Sequence, residues 1–226
     1  MELRINLEIN MKNFPLVLSC IAFCLALGLS PIRLVADQVL FDNNTVVDFA
    51  FNSDAGSNSQ ILADNFSLAS DSIASQISWT GVYGRFVDDD SFTIDLFADE
   101  AGLPEVDSLV TLSLQSVQRE LTGDIIDIGG IDFELFSYTA NVDNQFLAGG
   151  TDYWISILNE TQNAFWSWGA ETATGDFAFR NDPGDIWEGF PGSLDFQITG
   201  TAIPEANSVL LVGLVLLGGS ATRRRR

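Results

Sequence analysis

Two uncharged apolar stretches, one near each end of the 226-residue chain, set the limits on how it can fold. The first runs from Phe14 to Leu29, and the second runs from Asn207 to Thr222. Neither has a polar face, so neither can lie on a water-exposed domain as an amphipathic helix would. We therefore treat both ends as membrane-directed segments and expect one folded domain, residues 37–202, between them.

Residues 1–36 have the layout of a secretory signal peptide. Lys12 precedes the apolar run, and Ala36 ends a short segment after which a signal peptidase could cut. We predict that translation starts at Met11, because a start at Met1 adds two glutamates that cancel the positive charge. Both cysteines lie inside this segment, so the processed chain has no thiol that an oxidising compartment could change.

The C-terminus has three parts in a fixed order. The short motif that opens it is Pro204, Glu205 and Ala206, and the arginines that close it are Arg223, Arg224, Arg225 and Arg226. The apolar side chains that we assign to a membrane anchor are Val209, Leu210, Leu211, Val212, Leu214, Val215, Leu216 and Leu217. As a helix, the segment from Ala206 to Thr222 would span about 25 Å, the lower limit for crossing a bilayer core of about 30 Å. The positive-inside rule keeps the arginines cytoplasmic, which leaves the domain outside.

This order resembles the PEP-CTERM sorting signal, in which a Pro-Glu-Pro motif precedes an apolar helix and a terminal basic cluster. The resemblance covers residues 203–226, and Ala206 stands where the family has its second proline. It implies recognition by an exosortase, a membrane transpeptidase-like enzyme of bacteria that make exopolysaccharide. It also implies that the tail is cut near Pro204 and Glu205 and that the domain passes to the cell surface or extracellular matrix.

The segment between the two ends is typical of an all-β domain, because period-2 alternation is frequent and no stretch carries a helical period. From Ser91 to Ala98, for example, Phe92, Ile94 and Leu96 share one face. The other predicted strands are Gln38 to Phe41, Val46 to Phe51, Gln60 to Leu68, Ile73 to Tyr83, Leu109 to Ser116, Ile131 to Thr139, Asp152 to Asn159, Ala164 to Trp168, Asp176 to Arg180 and Leu194 to Thr199.

Turn residues such as Gly129-Gly130 and Pro191-Gly192 separate these strands. About ten short strands with such turns predict a β-sandwich that is jelly-roll-like. We expect a signal helix before this ectodomain and a single transmembrane helix after it. The layout also resembles the β-sandwich ectodomains that often precede PEP-CTERM tails, in the pieces at residues 63–66, 92–94, 98–99, 102–104, 149–156 and 166–168.

The composition of the middle segment excludes several classes of chemistry. Between Asp37 and Ala202 the chain has three arginines against 28 acidic residues, a formal charge of −25, and no Lys, His or Cys. Nucleophile systems that need His or Cys, zinc sites of the usual His/Cys kind and Schiff bases are therefore excluded. A surface this acidic also repels phosphate backbones, so we expect no nucleic-acid partner.

Two groups of residues are candidates for ligand binding. Asp88, Asp89 and Asp90 form the densest acidic cluster, and oxygen ligands on a loop suit calcium. The alternative, which we favour, is a solvated turn before the next strand. Trp166 and Trp168 are two residues apart, so in a strand they face the same way and, if exposed, would form a platform for sugar rings. If buried, they belong to the core, which is the reading that we favour.

These observations predict an exported, non-enzymatic protein of the cell surface or extracellular matrix, associated with exopolysaccharide. The expected partners are the secretion machinery, an exosortase and the membrane, with extracellular polysaccharide as a further candidate. We expect no cofactor other than the calcium ion considered above. The alternatives are a carbohydrate-binding module, with or without calcium, and a secreted glycan hydrolase or lyase that would need two facing carboxylates in a groove.

Overall fold

The computed structural model describes residues 37–43, 46–56, 60–85, 90–161 and 164–204 of the chain. Within these residues the protein is all-β, as predicted, with thirteen strands and no helix. The strands are β1 (Gln38–Asp42), β2 (Phe49–Asn52), β3 (Ile61–Ser67), β4 (Ser72–Tyr83), β5 (Phe92–Glu100), β6 (Leu103–Pro104), β7 (Val110–Thr111), β8 (Leu114–Ile128), β9 (Ile131–Leu147), β10 (Asp152–Asn159), β11 (Trp166–Arg180), β12 (Glu188–Leu194) and β13 (Phe196–Ala202).

The predicted signal segment and membrane anchor cannot be compared with this fold. Residues 1–36 and all of the predicted tail after Pro204 lie outside the described residues. Among the described residues, no helix is long and apolar enough to cross a bilayer. The two flanking helices therefore stay predictions.

All thirteen strands belong to one hydrogen-bonded sheet, and every strand pair in it is antiparallel. The main path runs β1-β13-β4-β11-β3-β10-β5-β6. The long hairpin of β8 and β9 joins this path at β4, β2 and β12 flank β11, and β7 pairs with β5. Because β1 and β6 end the path without pairing with each other, the sheet is open.

Strand β11 connects the two halves of this sheet. One half contains β1, β13 and β4, and the other contains β3, β10, β5 and β6. Its first three residues pair with β4 and its residues Phe177 to Arg180 pair with β3. Between these two parts the register against β12 shifts, from Glu171 to Asp176. A bulge of this kind bends a strand, so β11 can leave one half of the sheet and enter the other without a break.

Ring contacts show that the sheet folds over on itself. Phe92 of β5 lies 5.2 Å from Trp79 of β4 and 5.2 Å from Tyr138 of β9, measured between ring centroids. Strand β5 is not a neighbour of β4 or β9 in the sheet, so these contacts join two facing surfaces. Phe41 of β1 contacts Phe66 of β3 in the same way, at 5.7 Å. Side chains of both halves thus share one main core.

Strand boundaries differ from the prediction where the local signal is weak. The predicted strands Ala164 to Trp168 and Asp176 to Arg180 are two parts of β11. Pro191 and Gly192, predicted to form a turn, lie inside β12. Strand β12 pairs only with β11, so it is an edge strand. Proline is tolerated on an edge strand because no second neighbour needs its missing N–H. The predicted strand ending at Ser116 covers only the first residues of β8. The rest of β8 carries little apolar alternation, because most of its side chains are exposed.

Gly81 of β4 provides a direct test of this packing. A β-carbon built at position 81 would lie 2.5 Å from Cζ2 and 2.6 Å from Cε2 of Trp166, and 2.7 Å from the carbonyl oxygen of Ser167. We expect Gly81→Ala to lower the free energy of unfolding by about 2–3 kcal/mol, because a buried indole must move. Urea denaturation followed by intrinsic fluorescence measures the change.

The matched control is Gly189→Ala in β12. Its β-carbon would meet only Cδ2 of Leu103, at an ordinary 3.8 Å. We expect this variant to stay within about 0.5 kcal/mol of the parent chain. Equal effects of the two substitutions would contradict the tight contact between Gly81 and Trp166.

Candidate functional site

The end of the domain from which the predicted tail leaves is the first candidate site. Ala202, the last residue of β13, pairs with Ser72, and the N–H of Ile203 donates to the carbonyl oxygen of Asp71 at 2.7 Å. Pro204 is exposed and lines a cleft of about 460 Å³ together with Ile203 and the Gly149-Gly150 turn. The chain is therefore held by backbone bonds up to the residue before the predicted Pro-Glu-Ala motif.

The start of the domain lies at the same end. Gln38 of β1 pairs with Gly200 of β13. The carboxylate of Asp37 accepts hydrogen bonds from the hydroxyls of Ser75, at 3.1 Å, and Thr201, at 3.2 Å. Both junctions with the predicted membrane-directed segments are thus neighbours on adjacent strands.

Trp166 and Trp168, the candidate sugar platform, face the same way but face inward. Both are 0% exposed. The Nε1–H of Trp168 donates to the carbonyl oxygen of Asp195 at 2.8 Å, and the ring of Trp166 contacts Phe92. With no exposed ring surface, neither residue can stack on a sugar in this structure, which corrects the platform hypothesis in favour of core packing.

The candidate calcium cluster can be described only at its last residue. Asp88 and Asp89 lie outside the described residues, whereas the Asp90 carboxylate accepts from the Tyr83 hydroxyl and pairs with Nη1 of Arg119 at 3.1 Å. The Arg119 guanidinium also lies 5.5 Å from the Tyr83 ring centre. This cation already neutralises Asp90 and would oppose a second cation beside it. No group of three or more metal-binding side chains occurs in the part of the chain that the structure describes.

Two buried phenols, Tyr83 and Tyr138, lie near Asp90. Burial, followed by the hydrogen bond to Asp90, raises the pKa of Tyr83 above the ordinary tyrosine range. Burial, followed by the charge interaction with Tyr83, raises the pKa of Tyr138 as well. Both phenols therefore stay protonated at neutral pH, and neither can serve as a base there.

A buried polar network that the sequence did not reveal surrounds Asp64 of β3. This carboxylate is 3% exposed and accepts from the backbone N–H of Leu194 at 2.7 Å and of Asn65 at 2.8 Å. The Asn43 side chain donates to it at 3.0 Å and to the Ser193 hydroxyl at 2.8 Å. Burial raises the pKa of Asp64 to about 7, although these hydrogen bonds work in the opposite direction.

Arg180, at the end of β11, is the second feature that the sequence did not reveal. It is 7% exposed, its guanidinium lies 4.4 Å from the ring centre of Trp187, and its Nη1 donates to the carbonyl oxygen of Val106 at 2.8 Å. Among the described residues it forms no ion pair with a carboxylate. Burial lowers the pKa of Arg180, and nearby carboxylates, Asp95 foremost, raise it in opposition. The side chain thus ties the segment after β6 to the segment after β11.

No family model and no curated protein matches the chain. The candidate residues that the structure describes, Trp166, Trp168 and Asp90, make contacts within the fold. The sorting motif beyond Pro204 lies outside the described residues.

The burial of the tryptophans can be checked in solution. All five are at most 2% exposed, namely Trp79, Trp154, Trp166, Trp168 and Trp187. We expect acrylamide to quench the fluorescence of the folded chain several-fold less than that of the urea-unfolded chain, because the quencher cannot reach buried indoles. Equal quenching of folded and unfolded chains, or an emission shift on adding polysaccharide, would contradict this burial.

Arg180 provides a test of the contacts at the other end of β11. We expect Arg180→Ala to lower the free energy of unfolding by about 2–3 kcal/mol, because it removes a stacked, buried side chain and leaves the Val106 carbonyl without its donor. Urea denaturation gives the value. Arg85→Ala is the matched control, since Arg85 is exposed, and a comparable loss there would show that removing any arginine from this acidic domain has the same effect.

Proposed function

We propose that the chain is an exported, non-enzymatic protein of the cell surface or extracellular matrix that is sorted through its C-terminal tail. The observation that carries the proposal is the order of three features after the domain. A Pro-Glu-Ala motif at residues 204–206 is followed by an uncharged apolar segment and then by four arginines. Each feature alone is common, but an apolar segment followed directly by a basic cluster suits a membrane anchor.

The path of the chain at the end of the domain supports this proposal. Pro204 is exposed, and only Ile203 separates it from the last residue of β13. The motif therefore begins at the surface of the folded domain, where a membrane-bound enzyme can reach it while the anchor holds the chain. The proposed sequence of events is export through the signal, folding outside, retention by the anchor and cutting by an exosortase near Pro204 and Glu205.

For the domain we propose the β-sandwich arrangement, jelly-roll-like, as the finer description of the folded-over sheet. The contacts of Phe92 with Trp79 and Tyr138 across the core support two packed layers. The long β11, which pairs with strands of both halves, would be the strand that passes between layers. A sandwich of this kind serves as a binding or structural unit on many surfaces, which is consistent with a matrix role.

Two alternatives carry less support. A carbohydrate-binding module would need a platform other than Trp166 and Trp168, because both are buried. A glycan hydrolase or lyase would need two facing carboxylates about 5–10 Å apart in a groove. The described carboxylates with the most burial, Asp54, Asp64 and Asp195, instead lie where water and a glycan would be excluded, each at 3% exposure or less.

The sorting proposal is tested by following the full chain in two strains of one bacterium, with and without an exosortase. With the enzyme, we expect a shortened protein at the surface or in the matrix. Without it, we expect the uncut protein in the membrane fraction, because the apolar segment and the arginines still anchor it.

Two variants complete this experiment. Removal of residues 203–226 should release the domain into the soluble extracytoplasmic fraction of both strains. Glu205→Gln, which keeps the anchor and alters only the motif, should leave uncut protein in the membrane fraction of the strain that has the enzyme. Surface delivery of the tail-less chain at the level of the parent chain would overturn the proposal.

A further inference from the structure

The amide of Asn43 lies between a hydroxyl and a carboxylate that come from distant parts of the chain. Its Nδ2 is 2.8 Å from Oγ of Ser193, 3.0 Å from Oδ2 of Asp64 and 2.9 Å from the carbonyl oxygen of Leu194. A carbonyl oxygen can only accept a hydrogen bond, so the amide must turn its nitrogen, and not its oxygen, toward this group. Because Nδ2 is bonded to Cγ at about 1.3 Å, Oγ of Ser193 lies no more than about 4.1 Å from the carboxamide carbon of Asn43.

The surroundings hold the three side chains in place and bury two of them. Ser193 is 7% exposed and Asp64 is 3% exposed. The Leu194 and Asn65 backbone N–H groups fix both oxygens of the Asp64 carboxylate. Oγ of Ser193 and Oδ2 of Asp64 both accept from Nδ2 of Asn43, so the carboxylate lies close to the hydroxyl as well as to the amide nitrogen. Because burial raises the pKa of Asp64 to about 7, this carboxylate can take up and release a proton near neutral pH.

We propose that Ser193 and Asn43 form an ester bond within the folded domain. Oγ of Ser193 attacks Cγ of Asn43, and Asp64 takes the proton of the hydroxyl. The same carboxyl then gives this proton to Nδ2, the bond between Cγ and Nδ2 breaks, and ammonia leaves. The products are the ester and one molecule of ammonia, so atoms and charges balance without an oxidant or any other reactant.

Position and composition both favour such a link. Two groups held in contact react far more readily than separate molecules, and ammonia that diffuses away draws the reaction forward. Asn43 follows β1 and Ser193 lies near the end of β12, 150 positions further along the chain, so the bond would close most of the domain into one loop. A covalent link of this length restricts the unfolded chain as a disulfide does. The domain has no cysteine with which to form a disulfide.

Mass spectrometry of the exported full chain tests the proposal. With its termini fixed by peptide mapping, the chain should be lighter than its sequence by about 17 Da, the mass of ammonia. A digest should contain the peptide of Asn43 joined to the peptide of Ser193. In denaturing gels the looped chain should migrate faster than a Ser193→Ala chain, and alkaline hydroxylamine, which cleaves esters, should abolish the difference.

Variants separate the ester from other reactions of Asn43. Ser193→Ala and Asp64→Asn should both restore the full mass, with folding checked by circular dichroism. Ser53→Ala, which removes another buried hydroxyl, should keep the deficit of about 17 Da. A parent chain of full mass after long incubation at neutral pH would overturn the proposal. A deficit that persists in Ser193→Ala would also overturn it, because a succinimide formed at Asn43 alone has the same mass.

Discussion

The indole of Trp166 lies on the bare backbone of Gly81, and the connection between the two halves of the sheet depends on that contact. Any side chain at position 81 would occupy the space of the ring. With the ring in place, the first residues of β11 pair with β4, and its last residues pair with β3 after the register shift. In the described strand pairing no other strand joins these two halves along the main path. The main core, to which both halves contribute side chains, follows from this one shared strand.

Charge works against this fold, and the aromatic core offsets it. The domain segment carries 28 acidic residues and three arginines, so its carboxylates repel one another in the compact state. Two of the three arginines are at least partly buried. Arg119 forms an ion pair with Asp90, and the Arg180 guanidinium stacks on the ring of Trp187. Burial of aromatic rings in the core stabilises the fold and offsets the repulsion between carboxylates. A surface of this charge favours neutral or cationic partners over anionic polymers.

The positions of the two ends of the domain determine which strands would carry a force applied by the proposed membrane anchor. Asp37 and Thr201 are in contact, so the first and last described residues of the domain lie at the same end. A tail that holds the protein at a membrane would pull on β13, which is paired on both sides, with β1 and β4. The proposed ester between Asn43 and Ser193 would lie beside the other ends of β1 and β13, where it would keep these strands together under load.

The sequence by itself determined the all-β class and the acidic character, since these depend on composition and on periods of a few residues, and it predicts membrane-directed segments at both ends. It also placed β10 at its observed bounds, because alternation and a Gly-Gly turn mark it clearly. It could not place Pro191 inside a strand, because proline is tolerated there only on an edge that the fold creates. Alternation showed that Trp166 and Trp168 share a face, but only the second half of the sheet, packed over that face, made it the core. Asn43 and Ser193 carry no local signal, because 150 positions separate them and the folded sheet alone brings them together.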